Sequence, residues 1–198
     1  MNYSYITPQK AGLNSDLLYR EFGEDDKFTA ALYRAMKVDY PKFFKMDNLS
    51  RLGFLASELL FSRMEPRFVP RDDIALLCFS RSASLDVDTR FLQTTAPDNY
   101  FPAPSLFVYT LANIVAGEIT IRNKLMGEST AFVCREFDAG QILSATRAAF
   151  GNSGTVFVAV LWAEYFRERK EALMLLLNRE EAIALTINEL GALFQHIL

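Results

Sequence analysis

The stretch Asp73-Ile74-Ala75-Leu76-Leu77-Cys78-Phe79-Ser80 is the clearest indication of the fold in this sequence. Its apolar residues follow one another without a break over the length of one strand. Such a run is typical of a strand that is buried on both faces, as in a sheet covered by helices. Residues 155–162 and 172–177 have the same character. We therefore predict that these three runs form the core of one sheet.

Helical patterns alternate with these runs. Residues 16–36 have apolar positions at helical spacing, with a break near Gly23 and an acidic start at Asp26. Asp47 and Asp138 each stand where the N-cap of a further helix is expected, and Gln141 completes a capping-box pattern. Additional predicted elements are helices over 86–95, 105–125 and 182–197 and strands at 3–7 and 130–134, with residues 1–12 otherwise irregular. Alternating strands and helices indicate the α/β class, with a mixed, mainly parallel sheet covered by helices.

Composition excludes several classes of protein. The 198 residues are 51% hydrophobic and 23% charged, which fits one folded domain over 1–198 and argues against disorder. The net charge of −3 offers no basic face for nucleic acid. The N-terminal residues do not resemble a secretory signal, and no apolar run approaches the roughly 20 residues that span a bilayer. With two cysteines only, we expect a reducing cytoplasm and no membrane contact.

The inventory of reactive side chains is small. Cys78, Cys134 and His196 are the only cysteines and histidine, whereas a zinc site normally takes four ligands from Cys, His and carboxylates. His196 lies two residues from the end of the sequence, where chains are least ordered. We therefore predict no metal, no cofactor and no histidine-dependent catalysis.

Four segments, in this order, resemble the N-terminal half of the β-ketoacyl synthases. Lys45-Met46-Asp47 with Arg51-Leu52 is similar to the "Arg-Met-Asp…Arg-Leu" segment of the family's first long helix. Residues 104–127 resemble its loop and helix that end near "Leu-x-Gly-Pro". Residues 154–164 resemble the strand ending in "Gly-Gly-x-Glu", and 172–177 the strand after it. The likeness is greatest to the divergent, half-length branch found in bacterial polyene-pigment gene clusters.

This resemblance implies a thiolase-like fold. The complete family joins two similar halves in one chain and condenses an acyl thioester with malonyl-carrier protein. This chain has about half that length, and the family's second half supplies two histidines, or a histidine and an asparagine, for the reaction. His196 has no matching sequence context and is not carried over.

The family's nucleophile is a cysteine that begins a helix about nine residues after the glycine matched by Gly127. Here that count reaches residues 135–137, so Glu136 or Phe137 occupies the nucleophile-elbow position. The resemblance therefore implies a member that lacks the active-site cysteine, as in the chain length factors of type II polyketide synthases. Cys134 is either a shifted nucleophile or a small residue that finishes a buried strand. Glu136 with Asp138 is either a carboxylate pair or, for Asp138, a simple helix cap.

Further candidate positions concern partners. In the family, the helix matched by 105–125 lies near the dimer interface and the acyl pocket, and the strand matched by 130–134 pairs across the dimer axis. Interface or pocket residues are thus expected at Tyr109, Asn113, Gly117, Thr130 and Phe132, with ordinary packing as the alternative. The aromatic-rich loop Tyr100-Phe101-Pro102, with Phe107 and Tyr109, is either an exposed apolar patch for partner contact or a set of rings that fill the core. Basic side chains that would attract an acidic acyl carrier protein, or form an ordinary solvated surface, are Arg63, Arg67, Arg71 and Arg81.

Two functions follow from these patterns. The first is a non-catalytic half-synthase, an accessory subunit in fatty-acid, polyketide or polyene-type biosynthesis. It would form a homodimer or pair with a full-length ketosynthase, and acyl carrier protein is a further candidate partner. The second is an acyl-thioester enzyme that uses Cys134 or Glu136. The third hypothesis is an unrelated α/β binding domain. A strand order that is not thiolase-like would establish it.

Overall fold

The computed structural model describes residues 1–21, 27–98 and 100–197, and in this part of the chain it has an α/β architecture. The strands are β1 Asn2–Ile6, β2 Lys10–Leu13, β3 Asp16–Arg20, β4 Ile74–Ser80, β5 Ser129–Val133, β6 Phe157–Phe166 and β7 Arg169–Asn178. The helices are α1 Phe28–Ala35, α2 Asn48–Leu60, α3 Leu85–Gln93, α4 Pro104–Phe107, α5 Ile114–Asn123, α6 Ala139–Ala149, α7 Arg179–Ala184 and α8 Ile187–Ile197.

One mixed sheet contains all seven strands, in the order β3-β2-β1-β7-β6-β4-β5. β4 pairs in parallel with both β5 and β6, with Cys78 opposite Ala131 on one side and Leu161 on the other. The remaining pairs, β6 with β7, β7 with β1, β1 with β2 and β2 with β3, are antiparallel. All seven residues of β4 are buried, as its unbroken apolar sequence predicts. The predicted α/β class and mixed sheet are confirmed. The sheet is not mainly parallel as predicted, because β1, β2, β3 and β7 extend it by antiparallel pairing.

Two apolar layers cover the sheet. Alternate residues of β6 divide between them, because successive side chains of a strand point to opposite faces. Leu161 and Ala163 pack with α2 and α5, whereas Val160 and Trp162 pack with α6, α7 and α8. The elements that carry the predicted site residues therefore lie on two different faces, with α5 on one and α6 on the other.

The prediction of helix over residues 16–36 is wrong at its start. Residues Asp16–Arg20 form β3, which pairs antiparallel with β2 and places Tyr19 opposite Ala11. Asn14, with φ 55, makes the tight turn that joins the two strands. Sheet pairing here overrides a weak helical pattern.

The later part of the predicted helix over 16–36 is confirmed by α1, which begins at Phe28. The predicted break at Gly23 and the acidic start at Asp26 lie outside the described residues. β2, from Lys10, also replaces part of the irregular region predicted for 1–12.

The two longest predicted helices are each divided. Residues 105–125 form α4 and α5, separated by a turn from which the Tyr109 side chain enters the interior and donates a hydrogen bond to Glu118 at 3.1 Å. Residues 182–197 form α7 and α8, because Leu185 is extended and Thr186 begins a new helix. Glu189 accepts hydrogen bonds from the backbone and side chain of Thr186. A local cap thus divides residues 182–197 and a turn divides residues 105–125, although the apolar spacing of each stretch alone predicts one continuous helix.

The two predicted aspartate caps are confirmed. Asp47 accepts from the backbone N–H groups of Leu49 and Ser50 at the start of α2, and Asp138 accepts from that of Gln141 at the start of α6. Each carboxylate satisfies N–H groups that have no partner within the helix. These contacts fix where both helices begin.

Gly53 is the point of closest approach between α2 and its neighbours. A β-carbon at this position would lie 2.5 Å from Cγ2 of Val115 on α5 and 3.0 Å from Cδ2 of Leu161 on β6. By contrast, a β-carbon at Gly117 would meet no atom within 4 Å. The close helix packing thus depends on Gly53 and not on Gly117.

We predict that Gly53→Ala lowers the free energy of unfolding by about 1–3 kcal/mol, because the added methyl group overpacks a filled core. Gly117→Ala is the matched control, and it should raise stability by about 0.5–1 kcal/mol because alanine favours helix and space is available. Urea denaturation of the two variants measures both effects. Equal changes of the same sign would contradict the packing described here.

Candidate functional site

The predicted nucleophile elbow lies where β5 ends and α6 begins. We call residues 134–138 the elbow segment. Cys134 is bound to the end of β4, since its backbone N–H donates to the carbonyl oxygen of Ser80 at 2.9 Å. The elbow segment therefore stands at the carboxyl edge of the parallel strands, the edge at which open α/β sheets commonly bind ligands.

A buried carboxylate organises this edge. Glu164, near the end of β6, is 1% exposed and accepts hydrogen bonds from Oγ of Ser80 at 3.0 Å and Oγ of Ser82 at 2.7 Å. The backbone N–H groups of Arg81 and Ser82 donate to the same carboxylate. Burial of a carboxylate is tolerated when hydrogen bonds of this kind surround it. Glu164 thus fastens the loop after β4 to β6.

The Cys134 thiol is not activated by its surroundings. Burial raises its pKa above the ordinary cysteine value, and the negative charges of Asp138 and Glu164 raise it further. A reactive cysteine needs the opposite, a positive environment that stabilises the thiolate. The thiol of Cys78 lies inside β4, and burial raises its pKa to about 12. This geometry agrees with a packing role for both cysteines.

The two residues assigned to the elbow position have different surroundings. Glu136 is exposed to solvent. The Phe137 ring stacks on Phe194 of α8 with ring centroids 3.7 Å apart, and contacts Trp162 edge-on at 5.3 Å. The aromatic cluster Phe137–Trp162–Phe194 therefore fills the space beside the elbow segment with packed rings.

The interface candidates do not converge on one point. Thr130 and Phe132 lie on β5, where the Phe132 ring stacks on Phe79 of β4 at 4.6 Å. Asn113 is exposed at the start of α5, and Gly117 is half-buried with open space beside it. Tyr109 is buried, and its hydroxyl donates to Glu118, which also accepts from Nζ of Lys42 at 2.7 Å.

β5 is the free edge of the sheet on this side. In the described residues no strand pairs with it on the side away from β4. None of its five residues is charged, and Val133 is 64% exposed. The opposite edge, β3, is different because Asp16 and Arg20 place charges at its two ends. Charged side chains protect sheet edges from pairing with other strands, so β5 is the less protected of the two edges.

The basic side chains singled out in the sequence make no common patch of unpaired charge. Arg63 pairs with Asp16 at 3.2 Å, Arg67 with Glu58 at 3.2 Å and Arg71 with Asp73 at 2.7 Å. The backbone of the fourth, Arg81, binds Glu164 as described above. Three of the four charges are therefore matched within the chain.

Sequence reasoning missed the roles of Glu164 and Glu118. Both are at most 5% exposed and both accept more than one hydrogen bond. A glutamate within or directly after an apolar run was the available signal, because carboxylates are seldom buried without partners. Their partners Ser80, Ser82 and Lys42 come from distant parts of the sequence, so the pattern alone did not identify them.

We predict that Cys134 reacts with iodoacetamide more slowly than free cysteine near pH 8, because its raised pKa leaves less thiolate. Asp138→Asn keeps the helix cap but removes one negative charge, so alkylation should become about two- to threefold faster. Glu136→Gln removes an exposed carboxylate nearby and should leave the rate unchanged. The rate is measured by intact mass against pH. Alkylation faster than that of free cysteine at neutral pH would support an activated thiol instead.

Comparison with known proteins gave matches in structure only. No protein-family model and no curated protein matched the chain. The chain is similar to a ketosynthase in complex with its chain length factor from Xenorhabdus doucetiae, with a TM-score of 0.59 and 18% identity over 89% of this chain and 76% of that one. It is also similar to the ishigamide ketosynthase/chain length factor, with a TM-score of 0.62 and 18% identity over 90% of this chain and 61% of that one.

A β-ketoacyl synthase from Burkholderia phymatum STM815 matches at a TM-score of 0.50 and 14% identity, over 74% of this chain and 46% of that one. The chain thus spans less than two thirds of the second and third matched chains. These matches show that the chain has the ketosynthase-like fold, and the thiolase-like prediction is confirmed. Along the residues that the structure describes, no helix is both long and apolar enough to cross a bilayer.

Proposed function

We propose that this chain is a non-catalytic, ketosynthase-like partner subunit that pairs with a full-length ketosynthase through the open edge of β5. The observation that carries the proposal is the uncharged strand β5 at one end of the sheet. In the described residues its outer side pairs with no strand, and Val133 is 64% exposed. Strand pairing across such an edge satisfies backbone N–H and C=O groups and joins two sheets into one.

The chemistry of the elbow segment supports the non-catalytic part. The pKa of the Cys134 thiol is raised, and the assigned elbow position holds Glu136 or the packed ring of Phe137. The four segments that carry the resemblance include no counterpart of the family's catalytic histidines. A complete synthase partner would supply the nucleophile and its histidines.

The structural matches support the heterodimer. Two of them are ketosynthase/chain length factor proteins. The alignment with the complex from X. doucetiae takes in 89% of this chain and 76% of the matched chain, so that chain is only slightly longer than this one. By analogy, this chain takes the place of a chain length factor in polyketide- or polyene-type biosynthesis.

The alternative is an acyl-thioester enzyme that uses Cys134 or Glu136. It would form a stable acyl adduct on Cys134 when the chain is incubated with an acyl thioester, and intact mass detects this adduct. Contact with acyl carrier protein stays a prediction under either function.

The test of the proposed function is affinity purification of the tagged full chain from its native host, followed by mass analysis. We expect a ketosynthase to co-purify in a fixed ratio. Val133→Asp places a charge on the β5 edge and should weaken the complex by at least about tenfold. Leu18→Asp is the matched control, because Leu18 is 45% exposed on the opposite edge strand β3.

Three results would contradict the proposal. One is a chain that runs alone or as a homodimer with no ketosynthase bound. Another is equal loss of the complex in Val133→Asp and Leu18→Asp. The third is transfer of an acyl group to Cys134 in the isolated chain, which would favour the enzyme.

A further inference from the structure

A cleft of about 610 Å³ opens at the beginning of α2, away from both β5 and the elbow segment. The short 3-10 turn Pro41–Lys45, the first turn of α2, helix α3 and the segment from Ser105 to Tyr109 form its walls. Its volume lies within the range of roughly 300–1,000 Å³ that small-molecule sites occupy. The proposed partner function assigns no role to this cleft.

Three cationic side chains line the cleft: Lys45, Arg51 and Arg90. The guanidinium group of Arg51 is partly buried and donates from Nε and Nη2 to the carbonyl oxygens of Phe43 and Phe44, at 3.2 and 2.8 Å. These acceptors carry no net charge. Within the described residues, neither Lys45 nor Arg51 has a carboxylate within 4.0 Å, and Arg90 approaches Asp86 only to 4.0 Å.

The carboxylates of the cleft are engaged elsewhere. Asp47 is 8% exposed and accepts the backbone N–H groups of Leu49 and Ser50 as the cap of α2. Asp86 accepts from Nδ2 of Asn48 at 3.0 Å. The cleft therefore has three cationic side chains and two carboxylates, and both carboxylates already accept hydrogen bonds from other groups.

Arg51 and Arg90 also act on each other. The pKa of the Arg51 guanidinium is lowered, mainly by burial, while Asp47 opposes this effect and the positive charge of Arg90 adds to it. An anion between the two guanidinium groups would relieve the repulsion and replace solvent lost by burial. Arginine is suited to this role because its planar donors match carboxylate and phosphate oxygens.

The remaining wall of the cleft is mixed. Asn48 and Ser105 are polar, whereas Phe44, at 47% exposure, and the half-buried Leu106 present apolar surface. A ligand that covers both kinds of surface has an apolar part as well as a charged end. An inorganic ion would leave the apolar surface uncovered.

We propose that this cleft binds a small organic anion, whose carboxylate or phosphate ester group lies between Arg51 and Arg90 and whose apolar part packs against Phe44 and Leu106. Lys45 adds attraction at the rim. Pairing with a ketosynthase is not required for this binding, so the site is tested on the isolated chain.

The test is titration calorimetry with benzoate, phenyl phosphate and the neutral benzyl alcohol at low ionic strength. We expect both anions to bind, the neutral ring to bind at least roughly fivefold more weakly, and added NaCl to weaken the anions only. The tighter of the two anions identifies the acid as carboxylate or phosphate ester. Absence of binding at millimolar concentration, or equal binding of the neutral ring, would overturn the proposal.

Variants locate the site. Arg90→Gln and Lys45→Gln change exposed side chains and should each weaken anion binding by roughly fivefold. Arg51 is left unchanged, because its hydrogen bonds hold the turn before α2. Lys124→Gln, an exposed lysine at the end of α5 and outside the cleft, is the matched control. Equal loss in Lys124→Gln would show attraction to the whole surface and overturn the assignment.

Discussion

The parallel pairing of β4 with β5 on one side and β6 on the other is the constraint on which the rest of this structure depends. Because β4 is buried on both faces, helices must cover both sides of the sheet at this point, α2 and α5 on one and α6 on the other. The same pairing leaves β5 at the margin. An uncharged strand at the margin then becomes the natural place for a second protein to continue the sheet.

The carboxyl edge of these strands is occupied by a buried carboxylate and packed rings, at the place where the sequence resemblance predicts the nucleophile elbow. Glu164 uses its carboxylate to fasten the loop after β4, while burial, with Asp138 and Glu164 adding to it, raises the pKa of the Cys134 thiol. Phe194 brings α8 against Phe137 and fills the adjacent space with rings. The physical requirements of this edge are those of packing, which agrees with a subunit whose partner performs the reaction.

Much of this fold was predictable from the sequence, for physical reasons that differ between elements. β4 was found because a strand buried on both faces has no polar positions, and α2 and α6 because Asp47 and Asp138 are strong caps. β3 was missed because its apolar and polar residues do not alternate as in a half-buried strand. Its extended structure depends on pairing with β2, which the sequence pattern does not reveal. The cleft beside Arg51 and Arg90 was not foreseen, since residues from three separate segments, 44–51, 86–90 and 105–109, meet there.

Amide hydrogen exchange of the chain, alone and in complex with the co-purified ketosynthase, tests the central claim most directly. The account predicts that peptides covering Ser129–Val133 exchange readily in the free chain and become protected in the complex, because their outward N–H groups gain partners. Peptides covering Asp16–Arg20 on the other edge should not change. An intact complex in which the β5 peptides exchange as fast as in the free chain would contradict the account.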